Sequence, residues 1–245
     1  MQQSFRKKLM NQPNNGIWRI LPSPVVTEML AQCGIDFQIL DCEHGNYDQQ
    51  TLLADLMACD IHGCAGYIRV SGTDKVEVQR CLDLGAKGIV FPGLQGLSDF
   101  ERVAAWMDYA PTGNRGLNPF VRASSYGIQS AAKVNSTSPL FIPIIETLEA
   151  VEQLDEILSI SRIDLVYLGT YDLSAQLGCA GEMTNPKLVE TIDRILRQCR
   201  KHHKASSTMA LSPELAGALR EKGVTAIVHG VDTHRIKEAF CKLVP

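Results

Sequence analysis

Several absences narrow the field before any motif is considered. No run of about 18 apolar residues occurs, so no membrane-spanning helix is expected. Arg6, Lys7 and Lys8 lie within Met1–Asn15, but no apolar stretch follows them, so no secretory leader is expected. The chain carries 24 Lys and Arg against 27 Asp and Glu, a formal charge of −3. Without a basic surplus or stripe, nucleic acid is not an expected partner. There are 8 cysteines but no Cys-x-x-Cys, the closest pair being Cys59 and Cys64. A chain of 245 residues can bury a large core and needs no disulfide staples, so buried free thiols in a reducing cytosol are expected. No Gly-x-Gly-x-x-Gly follows the first strand, which removes support for a doubly wound nucleotide-binding sheet.

What is present is an alternation. Short apolar, β-branched runs are expected as strands at Gly16–Leu21, Phe37–Cys42, Gly66–Val70, Gly88–Phe91, Leu140–Glu146, Leu165–Gly169, Ala205–Met209 and Ala226–Gly230. Helical patterns separate them, among them Pro24–Cys33, Lys75–Leu84, Asp99–Met107, Leu148–Leu158, Pro186–His203 and Pro213–Glu221. Asn185-Pro186 and Ser212-Pro213 place a capping residue before proline, a helix-start signature. Eight strands in β-α alternation, with no linker, predict one domain over residues 1–245, a single (β/α)8 TIM barrel. One irregular stretch, Tyr109–Ser138, is long enough to be functional, and its expected place is over the barrel mouth.

Barrel chemistry gathers at the C-terminal ends of the strands. There the sequence places Asp41-Cys42-Glu43-His44, Arg69, Glu146-Thr147 and Gly169-Thr170-Tyr171-Asp172. Glu146 and Asp172 close consecutive strands and can face one mouth. Two carboxylates with open positions suit a hard divalent ion, while a pair of carboxylates salt-bridged to arginine is the plainer alternative. His44 can take and return a proton near neutral pH, or simply be hydrogen-bonded at the rim. Arg69 interrupts an apolar strand and must meet an anion, either Glu43 or Glu146 structurally, or a developing enolate oxygen. Imine chemistry would need a lysine at a strand's C-terminal end, whereas Lys87 and Lys204 precede their strands.

At these residues the sequence resembles the HpcH/HpaI aldolase family, the class II pyruvate aldolases. The matching segments are FQILDCEH (37–44), IRV (68–70), CLDLGA (81–86), IIET (144–147), LGTYDLSAQLG (168–178) and GVDT (230–233). The resemblance implies that Glu146 and Asp172 bind Mg2+ or Mn2+ and that Arg69 holds the keto oxygen of a pyruvate unit as it becomes an enolate. It implies that His44, oriented by Asp83, is the acid/base, and that backbone amides around Gly169, Thr170, Tyr171 and Asp172 receive the substrate carboxylate. It further implies a small oxo-acid substrate and a homo-oligomer, a hexamer built from dimers; a cytoplasmic location is expected from the free thiols and the missing leader. The chain departs from the family pattern at Ile144, often Gln there, at Thr170-Tyr171, often Pro-Ala, and in Asn118–Gly127, where Arg122 keeps a basic group.

Three functions follow as expectations: cleavage of a 4-hydroxy-2-oxo acid to pyruvate and an aldehyde, a citrate-synthase-like condensation of oxaloacetate with acetyl-CoA as in siderophore biosynthesis, or a barrel without turnover. For the first, Arg69→Ala is expected to abolish turnover while sparing the fold.

Overall fold

The computed structural model describes Leu9, residues 12–129 and residues 138–244. Its strands are β1 Asn14–Arg19, β2 Phe37–Asp41, β3 Ala65–Arg69, β4 Gly88–Phe91, β5 Leu140–Ile145, β6 Leu165–Leu168, β7 Ala205–Met209 and β8 Ala226–Val231. They pair in chain order, all parallel, and β8 closes on β1 to make a barrel. The helices are α1 Pro24–Gln32, α2 Gln49–Ile61, α3 Lys75–Asp83, α4 Leu97–Ala104, α5 Leu148–Glu152, α6 Leu154–Leu158, α7 Thr170–Gln176, α8 Pro186–Lys201, α9 Pro213–Glu221 and α10 Asp232–Cys241.

Both faces of the strands are covered, which is why most of them read as apolar runs rather than alternating ones, although β7 carries buried Ser206, Ser207 and Thr208. Ile39, Tyr67, Val90, Ile142 and Leu165 fill the barrel, while Leu40, Ile68, Ile89, Phe141 and Val166 pack outward under the helices. The caps expected from sequence form: Asn185 and Ser212 each accept a backbone N–H from the first turn behind them. Asp48 and Thr51 make a reciprocal capping box at the start of α2.

One charged pair is buried in this frame. Arg19, fully buried at the end of β1, donates to Asp232 at 2.8 Å, to Thr27 at 2.6 Å and to Gln38 at 2.9 Å. The Asp232 carboxylate also accepts from the backbone of Ile20 and Leu21. Barrel closure is therefore pinned at the top of β1 and the start of α10, and removing either partner would cost about 3–5 kcal/mol.

Two expectations are corrected. The long irregular stretch does not overhang the mouth. It runs from the C-terminal end of α4 to the start of β5, and helices in this fold return to the N-terminal face of the strands. It holds a short 3-10 helix, Arg122–Gly127. Its anchors are at that face: Arg115 pairs with Asp83 at 3.0 Å, and Arg122 donates to Leu84 O and Asp60. Residues 130–137 of the stretch lie outside the described residues. The cysteines are all free thiols, but Cys33 and Cys241 are exposed, not buried. Among the described residues, no helix is long and apolar enough to cross a membrane.

Candidate active site

The strands deliver their C-terminal residues to a cleft of about 340 Å3 at the mouth. His44, Arg69, Glu146, Gly169, Thr170, Tyr171 and Asp172 all line it, as do Trp18 and Asp41.

Arg69 is the last residue of β3, and in register it sits opposite Asp41, the last residue of β2. Its Nε donates to Asp41 Oδ1 at 2.9 Å, and a terminal nitrogen reaches Oδ2, so the pair is bidentate. The other terminal nitrogen meets Glu43 at 2.6 Å, and the guanidinium carbon lies 4.7 Å from the centre of the Trp18 ring. Arg69 is thus held on three sides with one flank toward the cleft. Asp41 is fully buried and also accepts from Trp18 Nε1 and from the backbone of Glu43 and His44. Burial would raise its pKa, but Arg69 and these donors outweigh it and hold the carboxyl below its usual range.

Glu146 follows β5 directly. Its Oε1 accepts the Gly93 N–H at 2.6 Å, and Gly93 can aim that N–H because its φ is +68°, a left-handed conformation natural to glycine. Burial first, then the charges of Asp172 and Glu43, push the Glu146 carboxyl up to about 7 against the opposing pull of Gly93 and Arg69. Gly169 faces it closely: a Cβ there would stand 2.6 Å from Glu146 Cβ and 2.8 Å from Oε2.

Asp172 reaches the mouth differently from the sequence expectation. β6 stops at Leu168, and Thr170, Tyr171 and Asp172 form the first turn of α7, with Gly169 as its N-cap. The backbone N–H groups of Thr170, Tyr171 and Asp172 are therefore those of a helix start, left without intrahelical partners. His44 lies in the loop after β2, 69% exposed, with Glu43 3.9 Å from its Nε2.

Asp83 is not part of this cluster. It ends α3 at the opposite face of the barrel, where it accepts from Gln79 at 2.9 Å and Arg115 at 3.0 Å. The expectation that it orients His44 therefore fails within one chain, because a helix that follows β3 finishes a full barrel height below the mouth. The Asn118–Gly127 segment is remote from the mouth for the same reason. Trp18, Asp41 and Gly93 were not singled out from sequence. Asp41 had a signal, since it stands three residues before His44 at the end of an expected strand. Trp18 and Gly93 had none without the fold.

The donor set has a charge imbalance: Asp41, Glu43, Glu146 and Asp172 surround one arginine. Glu146 and Asp172 offer oxygen ligands suited to a hard divalent cation, which would offset the carboxylate repulsion that adds to burial in raising the Glu146 pKa. Among the described residues no three His, Cys, Asp or Glu side chains group closely enough to hold an ion unaided.

A family model described as HpcH/HpaI aldolase/citrate lyase matches residues 14–239. The chain is 30% identical over 242 residues to a 4-hydroxy-2-oxo-heptane-1,7-dioate aldolase from Escherichia coli, covering 98% of this chain and 92% of that one. Its structure superposes on an HpcH/HpaI aldolase/citrate lyase family protein from Burkholderia cenocepacia J2315 with a TM-score of 0.93 at 25% identity, covering 98% and 97% of the two chains. The fold is also that of the citrate synthase SbnG, with a TM-score of 0.87 at 23% identity over 100% of this chain and 95% of the other.

Proposed function

The chain belongs to the HpcH/HpaI aldolase/citrate lyase family and is a carbon–carbon lyase of the aldolase kind, and from that premise we propose that it cleaves a 4-hydroxy-2-oxo acid to pyruvate and an aldehyde with a divalent metal ion. The observation that carries this reading is the convergence of Glu146, Asp172 and Arg69 on one cleft.

Glu146 and Asp172 would hold Mg2+ or Mn2+, which supplies positive charge where the enolate develops. Arg69, fixed by Asp41 and Glu43, donates to the keto oxygen of the substrate, and its hydrogen bond strengthens as charge collects there. The free N–H groups of Thr170, Tyr171 and Asp172 take the substrate carboxylate. His44 removes the proton of the C4 hydroxyl as the C3–C4 bond breaks and the aldehyde carbonyl forms. Within one chain, Glu43 is the carboxylate beside its ring, 3.9 Å from Nε2. A homo-oligomer, the hexamer expected of the family, is proposed with it. A cytoplasmic location is supported by the eight free thiols.

The test is deuterium exchange at the pyruvate methyl group, followed by NMR in D2O. Exchange that needs Mn2+ or Mg2+ and stops with EDTA is expected; its absence would contradict the enolate. The likeness to a citrate synthase gives a second reading, condensation of oxaloacetate with acetyl-CoA. Release of free CoA with that pair, and no pyruvate exchange, would select it.

A further inference from the structure

The mouth of the barrel is divided by chemistry. The carboxylates, the guanidinium, the imidazole and the free amides come from the ends of β2, β3, β5 and β6. The remaining sector, from β7 through β8 to β1, is apolar. Met209 ends β7, Leu211 follows it, Val231 ends β8 and Ile20 follows β1. Barrel closure sets these side by side, because β8 pairs with both β7 and β1. Ile20, Met209 and Val231 pack onto the interior cluster that contains Trp18 and Tyr167. The sector is therefore a continuous extension of the core into the cleft, and Leu211, 38% exposed, forms its rim. The charged groups near it are engaged elsewhere: Asp232 is bound by Arg19, Arg69 by Asp41 and Glu43, and Arg235 by Glu238 and the carbonyls of His229 and Leu211. His234, in the first turn of α10, stands exposed at its edge.

We infer that this apolar sector receives the tail of the aldehyde, and that the chain handles aldehydes with hydrocarbon tails in preference to aldehydes ending in a carboxylate. The inference rests on the aldolase reading above and names the substrate class of that site. With the keto-acid end fixed by Arg69 and the start of α7, the C4 substituent extends across the mouth toward β7, β8 and β1. A hydrocarbon tail releases water from that wall, whereas a carboxylate laid on it would lose hydration and meet a polar side chain only at the exposed edge, at His234. In the synthetic direction the enolate carbon attacks the aldehyde carbon. One C–C bond forms, the carbonyl π pair becomes an alkoxide, and that oxygen takes up a proton, with no change in redox balance.

The test compares butanal with 4-oxobutanoate as partners for pyruvate, using the purified chain with Mn2+. Both have four carbons, and they differ in a terminal methyl against a carboxylate. The expected kcat/KM favours butanal at least tenfold and rises further with hexanal. Equal rates, or preference for 4-oxobutanoate, overturn the assignment. Pyruvate methyl exchange without aldehyde is measured alongside. If exchange proceeds and the preference is missing, only the tail assignment fails; if exchange is absent, the aldolase reading fails and the assignment with it. Leu211→Arg places a cation at the rim and is expected to lower the butanal-to-4-oxobutanoate ratio at least tenfold. An unchanged ratio in that variant overturns the placement of the tail.

Discussion

At Glu146, burial strips hydration from the carboxylate and the charges of Asp172 and Glu43 act in the same direction, so it titrates at about 7. An unfolded glutamate titrates at 4.5. Between those values the metal-free folded chain keeps a proton that the unfolded chain has released, so stability falls as pH rises through the window. Glu146→Gln is expected to flatten that part of the slope, checked by thermal unfolding with EDTA from pH 4.5 to 7.5; a slope as steep as the parent's would contradict it. The same proton competes with a metal. Mn2+ affinity measured by calorimetry is expected to weaken below about pH 7, by up to tenfold per unit. Arg69 carries a different burden. Its removal leaves Asp41 buried and ionised without its main partner, so Arg69→Ala is now expected to cost about 3 kcal/mol or more of stability as well as turnover. Arg69→Lys keeps the charge but not the planar fork that spans Asp41. It is expected to lose roughly a hundredfold in turnover while unfolding at nearly the parent's urea midpoint.

Among the elements, most strands were legible because parallel strands buried on both faces leave uninterrupted apolar runs such as Ile89-Val90-Phe91. The helix starts were legible because a polar residue before proline has few other uses. The start of α7 was not. Leu168-Gly169-Thr170-Tyr171 reads as the tail of a strand, since Thr and Tyr favour extended backbone and Gly169 ends the run. Only the parallel pairing of β5 with β6, which ends at Leu168, makes the next residues a helical turn. That turn brings the backbone of Gly169 against Glu146. Gly169→Ala is therefore expected to displace the Glu146 carboxylate and weaken Mn2+ binding at least tenfold, read by calorimetry, while the far-UV spectrum stays that of the parent. The conflict is one of space: φ at Gly169 is −82°, which alanine adopts freely. Parent-like Mn2+ affinity in the variant would show that the carboxylate is not confined by this contact.

For the molecule as a whole, sequence order fixes strand order in a barrel, but it does not say which end a long connection occupies unless the direction of the preceding helix is followed. That is why the stretch from Tyr109 was expected over the mouth and is found with Arg115 and Asp83 at the other face. The outer surface carries a further consequence. On and just past α10, Ile236, Phe240 and Leu243 recur at helical spacing and are 42%, 64% and 76% exposed. Scattered apolar side chains on a surface need no partner, but an aligned stripe of them is costly to leave in water. A self-associating chain covers such a stripe with its equivalent on another copy. Sedimentation velocity is expected to give a mass that is a multiple of 26.9 kDa. Phe240→Asp puts a charge in the middle of the stripe and is expected to shift the population to smaller species at micromolar concentration. Because α10 begins at Asp232, which Arg19 holds beside the mouth, the dissociated form should also show altered turnover if that helix leans on its partner. A parent-like mass in Phe240→Asp would move the contact to another face of the barrel.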